Sequence, residues 1–154
     1  MNKKRRKIIS WIMLISWMAF IFFMSHQPGD ISSEYSDLVV KIFTALGLDF
    51  NNYFGELATF IVRKVAHFTE YFILYILFYK VIILYINKRK ARILALLLVF
   101  LYACSDEFHQ YFIPGRGPAF KDVMIDTSGG FVASLFVTLI ENIMIKYKKQ
   151  PKSK

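Results

Sequence analysis

The sequence predicts an all-α membrane protein: four transmembrane helices, with an extracytoplasmic amphipathic helix between the first two. Three observations predict it. Of 154 residues, 56% are hydrophobic and 16 are Phe, and the apolar residues come in runs long enough to cross a bilayer. Basic residues gather at one end of those runs, in Lys3, Lys4, Arg5, Arg6 and Lys7, then Lys88, Arg89, Lys90 and Arg92, then the tail from Lys146 to Lys154. Acidic residues gather at the other end, all but Glu141 falling in what this topology makes the outer half. Basic flanks mark the cytoplasmic side, so both termini are expected inside.

The same placement excludes other classes. A net charge of +9 invites a nucleic-acid partner, but the charge flanks apolar runs. Membrane lipids are therefore the expected partner and nucleic acid is not. Cys104, the single cysteine, allows no intrachain disulfide and no cysteine-based zinc site. The length fits one domain over 1–154.

Taken in order, the first span is expected over residues 8–24. The Ser25-His26-Gln27-Pro28 that follows lacks a small-x-small cleavage pattern, so the span is expected to be retained. Pro28-Gly29 breaks the helix. From Ser32 to Gly47, apolar residues at 35, 38, 39, 42, 43 and 46 have helical spacing, with Ser32 or Ser33 as cap and Gly47 as terminator. Asp30, Glu34, Asp37, Asp49 and Glu56 make this connection acidic. It reads either as a helix lying on the outer surface or as one packed on the bundle end. The second span is expected over 64–86, with earlier turns projecting outside. The third (92–110) follows the basic turn, and the fourth (122–145) ends in the basic tail.

This topology gathers the polar groups of every span into one outer layer: Ser25, His26 and Gln27; Arg63, Lys64, His67 and Glu70; Ser105, Asp106, Glu107, His109 and Gln110; Asp122 and Asp126. Ionisable groups at a membrane margin are read as functional by default. At 3.6 residues per turn, Arg63, His67 and Glu70 share a face. Tyr102, Asp106, His109 and Gln110 share another, with Glu107 turned away. Asp122, Asp126, Gly129 and Ala133 make a third, and Gly129/Ala133 and Gly130/Ser134 are small-x-x-x-small pairs that allow close helix approach.

Three chemistries fit the layer. Arg63 and Arg116 can answer Asp106, Asp122 and Asp126 in an ion-pair network that only ties helices. His67 with Glu70 and Asp106 with His109 have the i,i+3 spacing of metal ligands, though nearby arginines oppose a cation, and no metal or other cofactor is expected. Thirdly, Arg63, His67, Glu70, Asp106, Gln110, Arg116, Asp122 and Asp126 can bind an anionic lipid-linked ligand. Pro114-Gly115-Arg116-Gly117-Pro118 would then form an anion nest and Arg116 a fork, while Asp122 serves as an N-cap. Glu70, Asp106 or His109 are the candidate general bases, and Ser105 beside His109 is a weak serine–histidine pair. A proton-coupled transporter is disfavoured, because only Lys80 and Glu141 lie deeper.

Ser105-Asp106-Glu107-Phe108-His109-Gln110, Phe112-Ile113-Pro114-Gly115-Arg116 and Asp122-Val123 to Asp126 resemble the VanZ-like family of bacterial membrane proteins. Arg63-Lys64-Val65-Ala66-His67-Phe68, Glu70-Tyr71 and Ser25-His26-Gln27-Pro28 fit the same pattern, over about residues 8 to 140, with His26 where a small polar residue is expected. The resemblance implies a multi-pass protein of the bacterial cytoplasmic membrane. Its namesake accompanies vancomycin-resistance clusters and raises resistance to teicoplanin, which acts at the outer leaflet on a lipid-linked cell-wall precursor. The expected ligand is that precursor or the glycopeptide. The alternative is a membrane-embedded hydrolase or transferase acting on a lipid-linked phosphate or peptide.

Overall fold

The computed structural model describes residues 2–48, 50–117 and 119–149, without the side chains of Asn51, Glu56 and Lys149. The expectations for Asp49, Pro118, Lys152 and Lys154, and for the Glu56 side chain, lie outside the described residues. All regular structure there is helical: α1 (Lys3–Ser25), α2 (Gly29–Ala45), α3 (Phe50–Phe54), a 3-10 turn (Gly55–Leu57), α4 (Ala58–Ile82), α5 (Lys88–Gln110) and α6 (Phe120–Lys149). Helices α1, α4 and α6 are each long and apolar enough to cross a membrane. The 23 residues of α5 carry charge at both ends, and it packs among the other three.

Contacts at successive levels fix the directions. Along α4 and α6, Lys64 meets Asp122, His67 approaches Asp126, and Tyr79 meets Glu141, so the two helices run the same way. Helix α5 runs against them: Arg92 near its start reaches Thr138 and Glu141, and Glu107 near its end reaches Ala119. Helix α1 parallels α5, since Trp11 bonds Tyr85 beyond α4 and Ser25 bonds Asp106. Halfway along, Trp17 donates to the Glu70 carbonyl and Met18 O accepts from Tyr102.

Small residues let the bundle close. A Cβ on Gly129 would stand 2.2 Å from the Phe68 carbonyl oxygen, and one on Gly130 would stand 2.7 Å from Val99 Cγ1. Ala91, Ala95, Val99 and Ala103 form an i,i+4 row on α5 that is wholly buried. Association in lipid depends on such packing, because an outward Leu is as well solvated there as an inward one. Accordingly Ile12, Ile15, Phe23, Leu97, Leu101, Leu135 and Leu139 all point outward.

Helix α2 corrects one expectation and bears out another. It begins at Gly29, so Ser32 and Ser33 lie inside it, and Ser33 Oγ donates back to Gly29 O rather than capping. Its end is as expected: Gly47 has φ +88°, Gly47 N–H donates to Thr44 O and Leu48 N–H to Phe43 O, the paired bonds of a Schellman turn. Leu38, Ile42 and Leu46 face away from the protein, whereas Ser33 and Asp37 bond to Arg63 and Thr59 of α4.

Candidate functional site

The last turn of α5 supplies the floor of the site. Asp106 is 4% exposed, and its Oδ2 accepts from Ser25 Oγ at 2.7 Å and from Gln110 Nε2 at 3.2 Å. Gln110 Oε1 in turn accepts from Arg116 Nη1 at 3.1 Å. The Tyr71 hydroxyl faces the same carboxylate from α4. Beside it lies Asp126, 1% exposed, whose Oδ1 is 3.7 Å from His67 Nδ1 and has no hydrogen-bond partner. Glu70 Oε2 lies 4.0 Å from the same ring nitrogen. One ligand atom each from His67, Asp106 and Asp126 falls within 4.8 Å of the others.

Adjoining this group through His67, Glu70 and Arg116 is a cavity of about 130 Å³ between α1, α2, α4 and the segment after α5. Arg63, His67, Glu70 and Arg116 line its polar side, with Met24, Tyr35, Val39 and Val62 opposite. Arg63 Nη2 donates to Ser33 Oγ at 2.5 Å, while its Nε is buried with no partner. A guanidinium with a free buried donor favours an anion.

Arg116 does something the sequence does not suggest. Its Nε and Nη2 donate to the Gln27 and Met24 carbonyls at 2.9 and 3.2 Å, satisfying groups that the end of α1 leaves open. Burial, and then the Arg63 charge, lower its pKa from the ordinary arginine value.

Among the described residues neither arginine is paired with a carboxylate, so the expected network of Arg63 and Arg116 with Asp106, Asp122 and Asp126 does not form. Asp122 pairs instead with Lys64 at 2.5 Å. It lies within the first turn of α6, which starts at Phe120, and so is not the N-cap. In the loop, Arg116 N–H donates to Ile113 O, and Pro114 O accepts from Gly29 N–H at 3.1 Å. Gly115, with φ +72°, packs so closely on Gly29 that a Cβ there would lie 2.2 Å from Gly115 O.

Two further placements add to the helical-face reading. Glu107 is buried on its own side of the helix rather than merely turned from the stripe, its Oε2 accepting from Ala119 N–H at 3.0 Å ahead of α6. His109 points out of the group, its Nε2 3.2 Å from His26 Nδ1 and its ring stacked on Phe22 and His26. The serine–histidine pair is absent, since Ser105 Oγ donates to Tyr102 O. The structure thus brings together Arg63, His67, Glu70, Asp106, Gln110, Arg116 and Asp126, adds Ser25 and Tyr71, and leaves His109 and Asp122 at the margin.

The family model VanZ/LLP1 matches residues 10–141. No curated protein and no solved structure matches the chain.

Proposed function

Because the chain belongs to the VanZ/LLP1 family, we propose that it is a four-span protein of the bacterial cytoplasmic membrane whose outer-face cavity binds the anionic headgroup of a lipid-linked cell-wall precursor. Helix α5 supplies the fourth crossing, both termini are cytoplasmic, and α2 rests its apolar face on the outer leaflet. The alternating helix directions and the outward Leu38, Ile42 and Leu46 support this arrangement.

The observation that carries the reading is the pair Arg63 and Arg116 lining one cavity, with Arg63 Nε buried and unpartnered. Size favours the lipid over the antibiotic: about 130 Å³ accommodates a phosphate or carboxylate, whereas drug-sized ligands occupy roughly 300–1,000 Å³. Retention of the precursor by this site lessens teicoplanin action, the resistance role that the family suggests. The test is native mass spectrometry of protein extracted from membranes, beside teicoplanin susceptibility of cells expressing it. Wild type carries a phosphate-bearing lipid that Arg63→Gln loses, and the variant lowers resistance. Equal lipid and equal resistance in a normally expressed Arg63→Gln variant defeat the proposal.

His67 and Glu70 on the cavity wall favour the second reading, a hydrolase or transferase for the bound lipid-linked group. Glu70→Gln and Asp106→Asn would then abolish turnover and spare affinity, while a pure binder shows no turnover to lose.

A further inference from the structure

Behind the arginine-lined wall the carboxylates outnumber their partners. Asp106 and Asp126 are almost wholly buried, Glu70 stands next to them, and among the described residues none is ion-paired with a lysine or arginine. The nearby cations are engaged elsewhere: Lys64 on Asp122, Arg116 on Gln110 and two carbonyls of the first helix, Arg63 on Ser33. Buried carboxylates without a counter-charge are costly, and a metal ion is one of the few ways to satisfy them.

We propose that His67, Asp106 and Asp126 hold a divalent cation. Two observations point to it independently. Ligand atoms of the three side chains, from three different helices, already lie within 4.8 Å of one another. Asp126 Oδ1, on a residue 1% exposed, has no partner and is aimed at His67 Nδ1. Metal–ligand bonds of about 2.1 Å put neighbouring ligand atoms about 3.4 Å apart in a tetrahedral site, so small side-chain rotations complete the geometry.

The surroundings also suit a metal. Ser25 and Gln110 both hold Asp106 Oδ2, which fixes that carboxylate as outer-shell donors fix a ligand. One imidazole and two carboxylates suit manganese, zinc or iron(II) rather than a thiolate-seeking ion. Glu70, 4.0 Å from the same ring, is positioned as a fourth ligand or as the partner of a metal-bound water. The ion would lie next to the cavity, where it adds a second contact for a bound phosphate and offsets the charge of the acidic floor. The inference goes beyond the headgroup reading and does not depend on it.

The test uses the full chain in detergent, stripped with chelator, equilibrated in turn with Mn²⁺, Zn²⁺ and Fe²⁺, desalted and analysed for bound metal. Thermal unfolding is followed on the same samples. Wild type is expected to hold about one ion per chain and to melt higher with it. Asp126→Asn and His67→Ala, still folded by helical content, hold none and show no metal-dependent rise. His109→Ala behaves as wild type, because its ring lies outside the group. Metal that survives Asp126→Asn but leaves with His109→Ala overturns the assignment, and so does a folded wild type that binds none of the three ions. Metal bound by wild type while Arg63→Gln keeps its lipid is failure of the headgroup reading alone; lipid lost in Arg63→Gln with no ion bound by wild type is failure of this one alone.

Discussion

The bundle has a polar cluster near each end, and the two are built on opposite plans. At the end near the basic turn, Glu141 accepts from Tyr79 at 2.6 Å and pairs with Lys88 at 2.9 Å and Arg92 at 3.6 Å, while Arg92 also donates to Thr138. Every charge there has an answer. At the other end, among the described residues, Asp106, Asp126 and Glu70 pair directly with a histidine and neutral donors alone, and Arg63 and Arg116 turn to a serine, a glutamine and backbone carbonyls. A cluster whose every charge is paired fastens helices together. One whose acids and bases are held apart keeps both available to a ligand.

Substitutions can break this contrast. The largest effect is expected at Glu141→Ala. Removing the shared acceptor strands Arg92 and the Tyr79 hydroxyl, and the unfolding free energy in detergent falls by about 3 kcal/mol, at the low end for a broken buried pair because Lys88 is half-exposed. Lipid and metal content are expected to stay as in wild type, because both proposed sites lie at the far end. Next comes Gly29→Ala, whose Cβ would lie 2.2 Å from Gly115 O. Overpacking there costs about 2 kcal/mol and pries the loop bearing Arg116 from the first helix, so retained lipid drops while the Glu141 cluster is untouched. The smallest effect on stability sharpens the comparison most. In chelator-treated protein, Asp126→Asn changes the unfolding free energy by less than about 1 kcal/mol, with a gain in stability expected, since it removes a buried charge that lacks a partner. A loss as large as that of Glu141→Ala would mean that Asp126 is a tie after all.

Much of the architecture was legible because membrane rules act on position. Basic clusters and apolar lengths gave alternating helices, and Gly129 and Gly130 announced the close seam that the Phe68 carbonyl and Val99 confirm. Asp106, Gln110, His67 and Glu70 could be grouped from helical spacing alone. The remainder was hidden where one partner is backbone, since every residue carries the same amide. Nothing in the sequence marks Arg116 for the Met24 and Gln27 carbonyls far behind it, or Glu107 for the Ala119 N–H. Spacing does not separate His109 from that group because a face covers a wide arc, and the neighbouring Phe22 and His26 rings hold it at the rim. Likewise Pro28-Gly29 read only as a helix break, although Gly29 is also where two distant chain segments touch.

The second helix is tied along its first half by Gly29 to Pro114, Ser33 to Arg63 and Asp37 to Thr59. The residues that roof the cavity, from Ser32 to Val39, fall largely within that tied stretch. A roof fixed before any ligand arrives needs no ordering step when one does, so little of the interaction energy is lost to immobilising the protein. For the headgroup proposed above, capture would then be set by how often it diffuses past within the leaflet rather than by the opening of a gate, and release by the strength of the guanidinium contact.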